Sequence, residues 1–209
     1  ASNAAFGGEI FSGVSNTDDL EVQWIGRPGP RAQPDRNGRK PAPLSTGGRL
    51  FVQGLNRIIT LDAYNGTVLW SRELPEIQRF NMPRDSSNWA ANREYLFAAI
   101  NGECWKWNAG TGELNSRISI PAQSASPTSL DWSYLSPHHD RIIGSSVVKD
   151  SAFTTFWGGG SAGWYDAKNG VVTQKVCSEN LFAVDSKNGR LAWLYEDGLI
   201  VNSTITLAN

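Results

Sequence analysis

The sequence predicts an all-β chain of antiparallel hairpins. Three observations carry that expectation. Two stretches align with each other without a gap, apolar residues alternate in short patterns bounded by Gly, Asn, Asp and Pro, and the same turn signatures recur at matching places. Alternation of this kind puts one strand face in a core, and the bounding residues are turn formers.

In chain order, Val22-Gln23-Trp24-Ile25 is the first stretch able to form a strand. The segment from Arg27 to Pro41 follows, with Arg27, Arg31, Arg36, Arg39 and Lys40 set against one acid, Asp35, among four prolines. Arginine presents a fork of donors to oxyanions, so this segment could grip a phosphate, a sulfate or an acidic glycan. A solvated linker stiffened by proline is the plainer alternative, and the one we expect.

The first copy of the repeat runs from Arg49 to Gly66 and the second from Tyr95 to Gly112. Each reads as a strand, a tight turn, a second strand and a second turn. The tight turn falls near Leu55-Asn56 in one copy and at Asn101-Gly102 in the other, and Asn-Gly is a strong hairpin signal. The second turn is Asp62-Ala63-Tyr64-Asn65-Gly66, then Asn108-Ala109-Gly110-Thr111-Gly112. Its first side chain can accept hydrogen bonds from amides two positions on, and its glycine can adopt positive φ without steric cost. Third strands are expected at Thr67 to Ser71 and at Glu113 to Ile118. Trp89 to Ile100 is rich enough in alanine to suggest a helix, but its second half aligns with a strand.

A third copy is split. Arg141 to Val148 reads as its first strand, and Asn180 to Gly189 as its second strand and turn, with residues about 149–179 inserted where the other copies turn tightly. The insertion holds Trp157, a glycine-rich run from Gly158 to Gly163, Trp164, Tyr165 and a repeat-like turn ending at Gly170. Long loops in compact repeats are commonly functional. A last strand pattern, Leu199 to Leu207, follows the third copy.

Leu61 to Trp70 and Val184 to Trp193 both carry a strand running into Leu-Asp-Ala-x-Asn-Gly-x-x-Leu-Trp or a close variant. This motif resembles that of the PQQ-repeat family, the quinoprotein-like β-propellers, over about residues 42–207. The resemblance implies a propeller in which Trp70 and Trp193 dock one blade onto the next. Ser116 stands at the corresponding place in the middle copy, so that junction should be weaker or differently packed. Blades are expected at about 42–86, 87–129 and 130–198, with a fourth opening at Leu199, after a separate N-terminal portion at 1–41. Propellers typically close with about four to eight blades. Three to four blades therefore imply a segment of a larger ring, or closure by a second copy, because an open edge invites association.

Composition bounds the function. With 209 residues, 19 basic and 20 acidic side chains, the chain is nearly neutral, which argues against nucleic-acid binding by bulk charge. Nine tryptophans beside a single methionine point to an aromatic core. No long apolar run suggests a membrane span, and no signal peptide is visible. The chain starts at Ala1 and its one methionine is Met82, so upstream sequence is expected to be missing, and Ser2-Asn3-Ala4 resembles a tag remnant.

Quinoprotein dehydrogenases, the resemblance implies, stack the quinone between a tryptophan and a disulfide of adjacent cysteines, with calcium held by carboxylate and amide oxygens and an aspartate as base. Cys104 and Cys177 are the only cysteines here and are not adjacent, and no Cys-x-x-Cys-His is present for a c-type haem. The expectation is a non-catalytic module without a cofactor, binding a protein, a ligand or the remaining blades within a larger bacterial protein. Family resemblance alone implies an extracytoplasmic setting, periplasmic or secreted, as for outer-membrane-assembly lipoprotein members. The competing reading is a PQQ- and calcium-dependent dehydrogenase domain, or a propeller appended to another catalytic domain.

Other candidates divide between chemistry and packing. Cys104 aligns with Ile58 and reads as a small buried hydrophobe, while a bridge to Cys177 would pin the insertion and add roughly 4 kcal/mol. His138-His139-Asp140 could offer metal ligands, but Pro137 before it and a strand after it suggest a surface turn. The glycine run lacks the lysine and helix of a phosphate loop. Asn65-Gly66-Thr67 and Asn202-Ser203-Thr204 match the glycosylation triplet. Trp157, Trp164 and Tyr165 could present flat faces to a sugar, a quinone or a partner protein, or could pack on the propeller flank.

Overall fold

In the computed structural model the described residues are 43–54, 57–74, 89–121, 130–148 and 177–208. They form three four-stranded antiparallel sheets, each a simple meander in its strand order. The first contains β1 (Leu44–Thr46), β2 (Arg49–Gly54), β3 (Arg57–Asp62) and β4 (Val68–Glu73). The second contains β5 (Trp89–Ala91), β6 (Tyr95–Ile100), β7 (Glu103–Asn108) and β8 (Leu114–Ser119). The third joins β9 (Leu130–His138) and β10 (Arg141–Val148) to later strands. Those are reached through the two-residue β11 (Cys177–Ser178), and they are β12 (Asn180–Asp185) and β13 (Leu191–Tyr195). Four-stranded meanders stacked face to face are propeller blades, and the chain is all-β and part of a propeller.

The ungapped repeat reappears as identical register. Arg49 faces Asp62 in the first sheet, Tyr95 faces Asn108 in the second, and Arg141 faces Asp185 in the third. Each sheet also has a register shift at the same repeat position of its third strand, after Thr60, Lys106 and Ala183. The outer strands start one residue later than the sequence suggested, at Val68 and Leu114. The preceding residues close the turn instead: Asp62 N donates to Thr67 O at 2.8 Å, and Asn108 N to Glu113 O at 2.8 Å. The alanine-rich stretch from Trp89 is two strands rather than a helix, because its alternate residues are claimed by two different cores.

Those cores lie between the sheets. One joins Phe51, Ile58 and Trp70 of the first sheet to Trp89, Ala91, Leu96, Ala98 and Trp107 of the second. The other joins Ala90, Phe97, Ala99, Cys104 and Ile118 of the second sheet to Trp132, Leu135, Ile142, Phe182 and Val184 of the third. A strand presents alternate residues to opposite faces, so a sheet buried on both sides needs a continuous apolar run. Tyr-Leu-Phe-Ala-Ala-Ile in β6 supplies it. In the third sheet Trp132 meets Phe182 edge-on, with ring centroids 5.0 Å apart, over Gly144, where a Cβ would fall 2.7 Å from both rings.

The end of the chain departs from expectation. A strand spanning Leu199 to Leu207 would open a fourth blade. Instead β14 (Ile200–Val201) pairs with β11, and a 3₁₀ turn follows at Asn202–Thr204. The cause is the Asn202 side chain. Its Oδ1 accepts from Ser145 and Ser178 hydroxyls at 3.0 and 2.7 Å, and its Nδ2 donates to Ser133 Oγ at 2.8 Å. All four residues are buried, so the amide is held by the third sheet and the chain turns to deliver it.

Candidate functional site

The most specific geometry in the molecule is at the junctions between sheets, and it is built on the recurrent turn. In each copy the first side chain accepts two amides. Asp62 Oδ1 takes Tyr64 N at 2.8 Å and Asn65 N at 3.1 Å, Asn108 Oδ1 takes Gly110 N at 2.8 Å and Thr111 N at 3.0 Å, and Asp185 Oδ1 takes Lys187 N and Asn188 N at 2.9 Å. Those amides lower the pKa of the Asp185 carboxyl, chiefly the one from Asn188. Each turn closes on a glycine with positive φ, 74° at Gly66, 67° at Gly112 and 70° at Gly189. The second residue of each turn ties back to the hairpin beside it. Ala63 N donates to Gly48 O, Ala109 N to Glu94 O and Ser186 N to Asp140 O.

This frame leaves the carbonyl of the second turn residue aimed at the preceding sheet. At the first junction Trp70 crosses and its indole N–H donates to Ala109 O at 2.9 Å, buried. Its ring lies so close over Gly112 that a Cβ there would sit 2.5 Å from Trp70 Cδ2. Arg72 adds bonds to Gly112 O at 2.7 Å and Thr111 O at 3.3 Å.

At the second junction Ser116 replaces the tryptophan, and its buried Oγ has no partner among the described residues. The equivalent carbonyl, Ser186 O, instead accepts from Lys106 Nζ at 2.9 Å. Ile118 packs on Gly189, at 3.1 Å from where a Cβ would stand. The junction is differently packed, as the serine suggested. Lys106 was not singled out in the sequence, and it is only 3% exposed. Its signal was available: it shares the inward face of β7 with Cys104, beside a position that had lost its tryptophan. Burial lowers its pKa, with the charges of Cys104, Glu94 and Asp185 opposing the shift and Lys187 adding to it. Its ammonium also lies 3.8 Å over the Tyr95 ring.

At the third position Trp193 is 39% exposed, and Leu191 and Tyr195 beside it on β13 are exposed as well. Two tryptophans at one repeat offset thus differ because one has a sheet to dock on and the other has none among the described residues.

The remaining sequence candidates are placed as follows. Trp157, Trp164 and Tyr165 of the insertion, and Arg27, Arg31, Arg36, Arg39 and Lys40 of the basic segment, lie outside the described residues, as does the strand pattern at Val22 to Ile25. Cys104 is fully buried and a free thiol, so the bridge to Cys177 is not made in this structure; burial pushes its pKa up, against a smaller opposing effect of Lys106. His138 ends β9 and His139 has a φ of 52° in the turn to β10, which places them on a hairpin. No cluster of metal-ligating side chains occurs among the described residues. Asn202 is buried with both amide atoms bonded, which withdraws it from its glycosylation triplet, whereas Asn65 is exposed. Cys104, a buried free thiol, has no neighbouring cysteine in the sequence, so it does not supply the adjacent-cysteine pair that the family resemblance implies for stacking a quinone.

No protein-family model matches the chain, and no curated protein matches it. Solved structures similar to it include a europium-containing methanol dehydrogenase, at 13% identity and a TM-score of 0.48, covering 75% of this chain and 32% of that one. A quinohaemoprotein alcohol dehydrogenase from Comamonas testosteroni stands at 14% and 0.48, covering 76% of this chain and 21% of that one. BamB from Moraxella catarrhalis stands at 13% and 0.43, covering 73% and 38%. The chain thus spans under two fifths of the length of each. The propeller architecture itself rests on the three stacked sheets. No described helix is long and apolar enough to cross a membrane.

Proposed function

We propose that the chain is a non-catalytic PQQ-repeat-like propeller segment that binds and scaffolds, part of a larger bacterial protein working outside the cytoplasm. The setting rests on the family resemblance alone. The observation that carries the binding role is Trp193. It occupies the docking position that Trp70 uses to hold the next sheet, and it is exposed with Leu191 and Tyr195. Its complement is a blade bearing the recurrent turn, either one of the remaining blades or the first sheet of a second copy. A copy docked in this head-to-tail manner would extend the ring. The aromatic insertion with Trp157, Trp164 and Tyr165 is the part of the module that would face a ligand.

Sedimentation of the chain tests this directly. It should associate beyond a monomer at micromolar concentrations, and Trp193→Glu should return it to monomer while preserving the far-ultraviolet spectrum. A wild-type chain that stays monomeric would overturn docking by a second copy and leave the remaining blades as the complement. Addition of quinone and calcium should leave absorbance and melting temperature unchanged; a spectral shift with thermal stabilisation would support the dehydrogenase reading instead.

A further inference from the structure

We infer that residues 199–208 form a displaceable strap that shields the docking face of the third sheet, which rests on the docking role given to Trp193. Cross-strand partners define that face in each sheet. Phe51, Thr60 and Trp70 stand opposite one another in the first sheet, and Ile143, Ala183 and Trp193 hold the same register in the third. In the first sheet the whole row is buried, with Phe51 and Trp70 packed on the second sheet. In the third sheet Ile143 and Ala183 are buried too, although no further four-stranded sheet follows among the described residues, and only Trp193 at the end of the row is exposed. Their cover includes Ile205, half-buried against Tyr134, Ile143 and Ala183. A side chain of the following segment thus sits where a neighbouring blade sits on the first sheet.

The strap is lightly held. Its paired portion, β14, is two residues long; Asn202 supplies a buried amide and Ile205 a half-buried side chain, while Leu199, Val201, Thr204, Thr206 and Leu207 are exposed. The sheet beneath it is joined between β10 and β12 over six consecutive pairs. Segments with few buried apolar contacts open locally at a fraction of the free energy of global unfolding. With the strap closed, a docking blade meets Trp193 and Tyr195; with it released, the blade meets the entire row that the first sheet uses. Apparent docking affinity is then the intrinsic affinity reduced by the released fraction. The sign of one substitution follows. Ile205→Ala removes an anchor of the closed state and nothing from the docked state, so it tightens association, whereas a fixed cap that joined the seam would lose contacts and weaken it.

Sedimentation and native-state hydrogen exchange on the full chain test this. Ile205→Ala should tighten self-association about tenfold, and adding Trp193→Glu should return the chain to monomer, which separates docking from the clumping of a misfolded variant. In the wild type the β14 amides should open at least about tenfold more often than those of β12, and about tenfold more often again in Ile205→Ala, with β12 unchanged. Association that Ile205→Ala weakens or leaves unchanged would overturn the strap while Trp193 docking stands, and association that persists after Trp193→Glu is added would overturn it as well. If both forms are monomeric, docking by a second copy fails and exchange alone decides: β14 opening only together with β12 would overturn the strap, and separate opening that Ile205→Ala accelerates would support it.

Discussion

Trp70 and Trp193 share a place in the repeat and differ in what they touch, so the same substitution at both sites separates docking from sequence pattern. In Trp70→Phe the indole N–H is lost and Ala109 O, in a turn residue with no exposure, is left without its 2.9 Å donor. An unsatisfied buried acceptor costs about 1–3 kcal/mol. The smaller ring also leaves a void beneath Phe51, whose ring centroid is 6.2 Å from that of Trp70, for about 1 kcal/mol more. The expected total is about 2–4 kcal/mol. Trp193→Phe, at a 39% exposed site, should cost within about 0.5 kcal/mol. Urea unfolding followed by far-ultraviolet circular dichroism reads both without relying on the altered fluorophores. If the two variants fell within about 0.5 kcal/mol of each other, docking through Trp70 would not be what holds the first two sheets together.

Other substitutions test the turn, the polar network and the acid response. Gly112→Ala meets both a φ of 67° and a Trp70 atom 2.5 Å from the new Cβ, and should cost about 2–4 kcal/mol. Gly198→Ala, at a φ of 86° with open space around it, should cost only about 1–2 kcal/mol by the same melt, and the reverse order would refute the contact. Asn202→Ala removes the partner of the buried Ser133 hydroxyl and the shared acceptor of Ser145 and Ser178, which keep only their bond to each other and the one from Tyr134 N. It should cost about 2–4 kcal/mol and speed hydrogen exchange at β11 and β14 while leaving β6 protected; unchanged exchange there would contradict the network. The Asp185 carboxyl titrates below its usual 3.8, so it favours folding above that value and loses the contribution as pH falls through the folded pKa. Asp185→Asn keeps the acceptor, as Asn108 does in the middle copy. It should match the wild type near pH 7 and lose less stability in acid, whereas an identical acid profile would count against the carboxylate.

The turns were legible because they are local. Asp62, Gly66, Asn108, Gly112, Asp185 and Gly189 each do their work within five residues of chain, and spacing alone reveals that. The split of the third copy was legible for a related reason, since β10 and β12 retain the alternation and register of an uninterrupted hairpin. What escaped depended on neighbours distant in sequence. Lys106 looks like a solvated charge until β7 is seen pressed against the turn at Ser186, and Trp193 looks like Trp70 until it is seen exposed, with no sheet beside it among the described residues. Leu199 to Leu207 alternates as a strand should, yet three serines contributed by β9, β10 and β11 capture Asn202 and end it. A residue whose partner is chosen by tertiary contact leaves no periodic trace.

The acceptor at each junction is a main-chain carbonyl, and that has a consequence for how such a molecule can change. A receiving group that belongs to the backbone survives any side-chain substitution at Ala109 or Ser186 so long as the turn keeps its shape. Variation is thereby confined to the donor, where an indole and an ammonium already serve interchangeably. Duplicating, exchanging or inserting whole units then requires only one compatible donor per new seam, which lets neighbouring units drift apart in sequence while remaining joinable.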